Sequence, residues 1–111
     1  MAYDEDLAER IRELLPPRAE VTEKKMFGGL AFLIEGNMAI AASGQGGLLV
    51  RCNAEESNAL VSKTRAYPMA MQGREVQGWL RVDADAVRTK RQLAKWVDIG
   101  TSQARSLPAK H

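Results

Sequence analysis

Apolar residues near the start of the chain follow a helical spacing. They recur three or four positions apart, as on one face of an amphipathic helix: Leu7, Ile11, Leu14 and Leu15. An acidic cluster at residues 4–6 precedes them, where negative charge suits the positive end of a helix dipole. Pro16 and Pro17 follow, and proline lacks the backbone N–H that a helix needs. The pattern predicts a first helix over residues 4–15.

From position 21 onward, glycines separate short apolar segments, which is typical of antiparallel strands joined by turns. The pattern predicts a meander of strands over residues 21–27, 30–35, 38–43 and 48–53. Gly36 and Asn37 both tolerate a positive φ, so they fit a two-residue primed turn between the second and third strands. Alternation around Gly78 and Leu80 predicts a further strand over residues 75–82.

Two more helices are predicted from capping and phase. Asn53, followed three residues later by Glu56, resembles a capping box and predicts a helix over residues 54–64. Asp83 or Asp85 is expected to cap the last helix, which runs to about residue 106. Its apolar residues stay in phase within one stripe: Ala86, Leu93, Trp96, Val97, Gly100, Ala104 and Leu107.

Gly100 lies inside that stripe, and the phase continues across it. We therefore expect a small residue at a close packing contact rather than a helix end. The elements together predict an α+β fold, in which a curved antiparallel sheet of about five strands is flanked by N-terminal, middle and C-terminal helices. The chain of 111 residues has room for one domain, residues 1–111.

Composition narrows the class of protein. Hydrophobic residues make up 45% of the chain and charged residues 27%, which is ordinary for a globular protein. The longest apolar runs fall far short of the roughly 20 residues that span a bilayer, and the opening residues do not resemble a secretory signal. Cys52 is the single cysteine, so no intrachain disulfide can form. We expect a cytoplasmic protein without a membrane segment.

Charge is distributed unevenly along the chain. The net charge is only +2, yet residues 1–20 hold six acids against three arginines. Residues 81–111 hold seven bases against three aspartates. Such a molecule has an acidic and a basic end, which can steer partners, although solvated helix faces explain the same pattern.

Residues that could carry catalysis are scarce. The only histidine is His111, where a positioned base or metal ligand is not expected. One histidine and one cysteine cannot build a usual zinc site. The acidic clusters lie where helices are predicted to begin, and capping accounts for them. We therefore expect no enzyme, no metal and no cofactor.

Some residues have two interpretations. A basic group on and near the last helix is a candidate nucleic-acid interface or a solvated face: Arg81, Arg88, Lys90, Arg91 and Lys95. Gly28 and Gly29 fit a structural turn or, as an alternative, a small-ligand contact. Trp79 and Trp96 fit packing anchors better than base-stacking platforms, because few other aromatic residues accompany them.

Several short motifs occur in an order that is more specific than any one of them. They cover nearly the whole chain: Met26, Phe27, Gly28 and Gly29; Gly36, Asn37 and Met38; Leu48, Leu49, Val50 and Arg51; Gly73 and Arg74; Gly78, Trp79 and Leu80; Trp96; Leu107 and Pro108. In this order they resemble the N-terminal domain of the TfoX/Sxy proteins, within a wider group that includes the YjbR-like proteins.

The resemblance implies an α+β domain and a regulatory role. Complete TfoX/Sxy proteins regulate competence genes, are thought to act with a transcription activator, and carry a second helical domain. The residues after Leu107 are too few to form such a domain, so we expect a stand-alone N-terminal domain. The predicted function is a non-enzymatic module that contacts proteins, with a transcription regulator as partner and a homodimer as its form. The alternatives are a nucleic-acid-binding domain and a small-ligand-binding domain.

Overall fold

A computed structural model describes residues 4–15, 21–26, 28–44, 46–64, 66–71 and 73–107. Three α-helices occur among them: α1 (Glu5–Leu14), α2 (Ser57–Lys63) and α3 (Lys90–Ser106). The strands are β1 (Val21–Met26), β2 (Gly29–Ile34), β3 (Asn37–Ala42), β4 (Leu48–Arg51), β5 (Tyr67–Met71) and β6 (Arg74–Val82). Phe27, the two prolines after α1, Pro108 and His111 lie outside the described residues.

The strands form one antiparallel sheet in the order β1-β2-β3-β4-β6-β5. The predicted α+β class is confirmed, but the described sheet has six strands rather than about five. The strand that sequence analysis missed is β5, which contains Pro68. Proline removes a ladder hydrogen bond, and β5 tolerates it because it is an edge strand with a register shift beside that residue.

The β2–β3 turn lies one residue earlier than predicted. Ile34 pairs with Asn37, so the loop residues are Glu35 and Gly36, with φ angles of 51° and 84°. Two successive positive φ angles define the primed turn that matches strand twist. Asn37 is instead the first residue of β3 and is only 1% exposed.

The cap of α1 agrees with the predicted start, since the Leu7 N–H donates to Asp4 Oδ1 at 3.1 Å. The predicted capping box of α2 is wrong. Asn53 Oδ1 accepts from the Glu55 N–H at 2.8 Å, which forms a side-chain turn, and the helix begins only at Ser57. A local turn competed successfully with the helix for the same backbone donors.

The cap of α3 also differs from the prediction. Neither aspartate caps it, because residues Ala84–Ala86 form a separate 3-10 turn. Thr89 is the N-cap, and it shares a capping box with Gln92 in which both hydrogen bonds measure 3.1 Å. The two reciprocal bonds satisfy two backbone N–H groups. The helix therefore starts at Lys90, four residues after Ala86, the first residue of the predicted apolar stripe.

The core lies on one face of the sheet. Phe32, Ile40, Val50 and Leu80 are directly opposite one another across four successive strands, and each is at most 1% exposed. Helix α3 packs over β3 and β4, α1 packs on α3 and β3, and α2 packs against β6 and β5. Apolar residues of all three helices contact the same core. A single cluster therefore connects every described helix to one side of the sheet.

Gly100 marks the closest approach of α3 to the sheet. The helix continues through it, as predicted. A Cβ atom built on Gly100 would overlap the carbonyl oxygen of Ala39 and lie 2.9 Å from the carbonyl carbon of that residue. Because only hydrogen fits there, the helix backbone rests directly on β3.

An ion pair connects α1 to the first strand. Arg12 Nε donates to Glu23 Oε2 at 2.6 Å and its Nη2 donates to Glu23 Oε1 at 2.8 Å. The same guanidinium contacts Glu9 at 2.6 Å and lies 5.9 Å from the centre of the Phe32 ring. The hydrogen bond from Arg12 lowers the pKa of Glu23. This two-point geometry holds β1 against the helical layer.

No helix in the described part of the chain is both long and apolar enough to cross a membrane.

Replacing Gly100 by alanine is expected to destabilise the protein by about 1–2 kcal/mol. Overpacking against a sheet backbone costs about 1–3 kcal/mol, which exceeds the gain of up to about 1 kcal/mol from helix propensity. Urea unfolding followed by circular dichroism measures the difference. Ser102→Ala, at an exposed position of the same helix, is the control and should stay within about 0.5 kcal/mol of the parent. A G100A variant more stable than the parent would contradict the close approach.

Replacing Glu23 by glutamine is expected to cost less than about 1 kcal/mol at neutral pH, because the ion pair is partly solvated. Since folding lowers the pKa of Glu23, its contribution is complete above the unfolded pKa and is lost as pH falls through the folded pKa. The stability difference between parent and E23Q should therefore shrink between pH 7 and pH 3. Urea unfolding at both pH values, combined with Arg12→Gln in a double-mutant cycle, measures it. An unchanged difference at pH 3 would refute the pairing.

Candidate interaction surface

The sheet has a second face, made by the residues that alternate with those of the core. Successive side chains in a strand point to opposite sides, and residues opposite each other across a pair share a side. One row of such residues crosses all six strands through consecutive pairings: Lys24, Ala31, Ala41, Leu49, Arg81 and Tyr67. The described helices lie on the core side, so none of them covers this row.

A parallel set of residues lies beside this row. Leu33 pairs with Met38, and Arg51 pairs with Trp79. We call the combined surface the open sheet face; its members are Lys24, Ala31, Leu33, Met38, Ala41, Leu49, Arg51, Tyr67, Trp79 and Arg81. The two alanines are buried, whereas the larger apolar residues are half-buried. The middle of the face is therefore a shallow apolar floor.

Arg51 and Trp79 form a stacked pair. They face each other across β4 and β6, and the guanidinium carbon lies 5.2 Å from the centre of the indole ring. Gly78, with a φ of 86°, precedes Trp79 and accepts a 2.8 Å hydrogen bond from the Cys52 N–H. A Cβ there would lie 3.2 Å from the Cys52 oxygen. Glycine at this position thus sets the direction of Trp79.

Two more polar side chains of the open sheet face are held by hydrogen bonds. Arg81 Nη2 donates to Ser43 Oγ at 3.1 Å, which fixes the guanidinium beside the β3–β4 loop. Tyr67 donates its hydroxyl to Asp83 Oδ1 at 2.8 Å, at the rim of the face. Among the described side chains, Lys24, Arg51 and Arg81 give the face positive charge, and the Asp83 carboxylate lies at its edge.

The predicted basic group does not form one surface. Arg88 precedes the N-cap Thr89 and lies outside α3, whereas the predicted cap at Asp83 or Asp85 placed it inside the helix. Lys90, Arg91 and Lys95 are exposed on α3, where Lys95 Nζ lies 5.7 Å from the Trp96 ring. Arg81 neighbours the core residue Val82 in β6 and therefore points to the other side of the sheet.

The remaining motif residues lie at turns and in the core. Gly28, Gly36 and Gly73 have φ angles between 78° and 84° in hairpin loops. Met26 ends β1 opposite Gly29, Arg74 begins β6 and is exposed, and Trp96 is 4% exposed.

Gly29 was also a candidate ligand contact. The backbone of residues 42–44 fills the space beside its Cα. A Cβ atom built on Gly29 would overlap the carbonyl oxygen of Ala42 and lie 3.0 Å from the nitrogen of Gly44. The space that a ligand would need at that carbon is therefore already filled by the chain itself. This geometry favours the turn interpretation over the ligand interpretation.

Chemistry at Cys52 is disfavoured by its surroundings. The residue is 2% exposed, and burial, followed by the charge of Glu56, raises the pKa of its thiol. The thiol is the less nucleophilic form. Within the described residues, no group of three histidine, cysteine, aspartate or glutamate side chains could hold a metal ion.

Two open clefts flank α3 on the core side of the sheet. One, of about 430 Å³, lies between Asn53 and Glu56 and the second half of the helix. The other, of about 170 Å³, lies between the end of α2 and the first half of α3, where Lys63 and Lys95 line it. Neither cleft includes a residue of the open sheet face.

Sequence analysis did not identify several members of the open sheet face as functional candidates: Lys24, Leu33, Leu49 and Tyr67. A signal was present, because the uninterrupted apolar run 48–50 places Leu49 on the side opposite Leu48 and Val50. Such a run predicts apolar groups on both sides of a strand. The residues that lie beside Leu49 on the open sheet face depend on the order of the strands. The pattern of apolar and polar residues does not specify that order.

Comparison with known proteins agrees with the geometry of the motifs. Residues 13–104 match the family described as the TfoX N-terminal domain, which is most of the 111-residue chain. Comparisons with curated proteins and with solved structures find no similar chain. The matched segment contains all six strands and nearly all of α3. With its glycine turns and three-helix, six-strand arrangement, the chain belongs to the TfoX N-terminal domain family.

Proposed function

We propose that this chain is a non-enzymatic regulatory module that acts by contact with another protein, and that the contact is made through the open sheet face. The observation that carries the proposal is the set of half-buried apolar side chains on a face that no described helix covers. Leu33, Met38, Leu49 and Trp79 occupy positions where a solvated antiparallel sheet carries polar residues.

The composition of this face supports a protein partner. Tryptophan, methionine and arginine are enriched in protein interfaces, whereas acidic residues are depleted. The face combines Trp79, Met38 and two arginines, and the Asp83 carboxylate lies at its rim. Apolar residues in the centre with charged residues around them correspond to the core and rim of an interface.

The surroundings of Cys52 support the non-enzymatic part of the proposal. The chain has one cysteine, which is buried and has a raised pKa, so it is a poor nucleophile. Membership in the TfoX N-terminal domain family supports a regulatory setting, and we propose a transcription regulator as the partner.

Replacing Leu49 by aspartate is expected to abolish partner binding without unfolding the chain. Leu49 is half-buried in the middle of the apolar floor, where a carboxylate would be desolvated by any bound protein. Proteins bound to the tagged chain in its own cells are crosslinked, recovered and quantified by mass spectrometry. A specific partner should be retained by the parent and reduced at least about tenfold in L49D.

The matched control is Ser102→Asp, which adds the same charge at an exposed position of α3 on the other side of the sheet. It should retain the partner. Circular dichroism and thermal unfolding establish that both variants fold. Equal recovery by L49D and by the parent would contradict the assignment of this face, and a parent that retains no protein would contradict the proposed function.

The nucleic-acid alternative predicts a different result. With Arg81 on the opposite side of the sheet, only Lys90, Arg91 and Lys95 remain together on α3. We expect no retardation of duplex DNA or single-stranded RNA by the chain in a gel-shift titration at about 50 mM salt, where phosphate contacts are strong. Retardation that disappears in the K90E/R91E/K95E variant would establish the nucleic-acid alternative instead.

A further inference from the structure

We infer that the segment bound by the open sheet face is acidic and amphipathic, with apolar side chains that reach the floor and carboxylates that reach Arg51 and Arg81. This inference rests on the proposed function and adds the chemistry of the partner. It follows from where charge and apolar surface lie on the face. The floor alone would accept any apolar segment; the two arginines select among them.

The apolar floor is bordered by positive charge on two sides. Leu33, Met38 and Leu49 lie on β2, β3 and β4, which are three of the four inner strands of the described sheet. Arg51 and Arg81 lie on the β4–β6 side, and Lys24 lies on β1 at the opposite side. At about 4.8 Å per strand, the distance from β1 to β6 is roughly 19 Å. A helix about 10–12 Å wide fits between these borders.

The two arginines are prepared for carboxylates. Arg51 lies over the Trp79 ring, which supports the planar guanidinium and removes part of its hydration. Arg81 is oriented by its hydrogen bond to Ser43 Oγ, which uses one of the five N–H donors of a guanidinium. A guanidinium held in place binds a carboxylate through two parallel hydrogen bonds with little further loss of side-chain entropy.

A protein segment suits this face better than a nucleic acid. Base stacking would need the Trp79 ring, which the Arg51 guanidinium already contacts. The closely spaced phosphates of a nucleic acid would have to cross the apolar floor formed by Leu33, Met38 and Leu49. An amphipathic helix with acidic and apolar side chains matches both features of the face, because its apolar side chains contact the floor and its carboxylates reach the arginines.

A random-peptide display selection on the immobilised full chain tests this inference. The peptides recovered should be enriched in aspartate and glutamate interspersed with leucine, isoleucine or phenylalanine. A synthetic copy of the strongest peptide should bind about tenfold more weakly to the Arg51→Gln/Arg81→Gln variant, and its affinity for the parent should fall as salt is raised. Chemical shifts of amides in β2, β3, β4 and β6 should change on binding.

The matched control is Lys90→Gln/Lys95→Gln, which removes the same charge from α3 and should leave the affinity unchanged. Thermal unfolding checks that each variant folds; if the double arginine variant does not, Arg81→Gln alone replaces it, with a smaller expected loss. A single-stranded DNA oligonucleotide is the competing probe. Its displacement of the peptide from the parent at physiological salt would overturn the inference in favour of a nucleic acid.

Other outcomes separate this inference from the proposed function. Peptides that map to the open sheet face but carry no excess of acids would overturn the inference and leave the proposed docking face standing. A selection that yields no peptide dependent on Leu49 would overturn both. Light scattering that shows a dimer of the parent and a monomer of L49D would assign the face to a second copy of the chain, which also overturns the acidic segment.

Discussion

The contact between the backbone of α3 at Gly100 and that of β3 at Ala39 is the constraint on which the rest of the structure depends. Because no side chain separates the two elements there, the residues on either side of Gly100 reach the row of core residues that crosses the sheet. Leu93, Trp96 and Val97 pack on one side and Ala104 packs on the other. The helix can then lie flat over β3 and β4, and α1 packs against it rather than on a separate surface.

Placing all described helices on one side determines what the other side can do. The core row and the apolar floor belong to the same strands, and a shift of register by one residue would exchange them. The buried row of Phe32, Ile40, Val50 and Leu80 therefore also positions Leu49, Arg51 and Arg81 on the outer face. Stability and the proposed binding function depend on one register, which links core packing to the interaction surface.

Glycine has different roles at different points of this sheet. In the hairpin loops it supplies the positive φ that the turns require, as at Gly36. At Gly78 a positive φ interrupts β6, and the following residue, Trp79, comes to stack with Arg51. The irregularity beside the Arg51–Trp79 contact agrees with the tendency of bulges to redirect side chains.

Local chemistry determined much of this protein from its sequence alone. The 3.6-residue period predicted α1 and α3, glycines and alternation predicted five of the strands, and the phase across Gly100 predicted one continuous helix, because these features depend on neighbours within a few residues. The prediction failed at three places. Asn53 forms a turn instead of capping α2, Thr89 rather than an aspartate caps α3, and the edge strand that contains Pro68 was not predicted.

Only the tertiary structure decided which distant residues meet. Arg51 and Trp79 were both motif residues, yet their contact follows from the insertion of β6 between β4 and β5, which no local pattern specifies. Arg81 was grouped with the basic residues of α3, although the sheet separates them. Strand order is set by the total burial of apolar area across the domain, and this global sum cannot be evaluated one segment at a time.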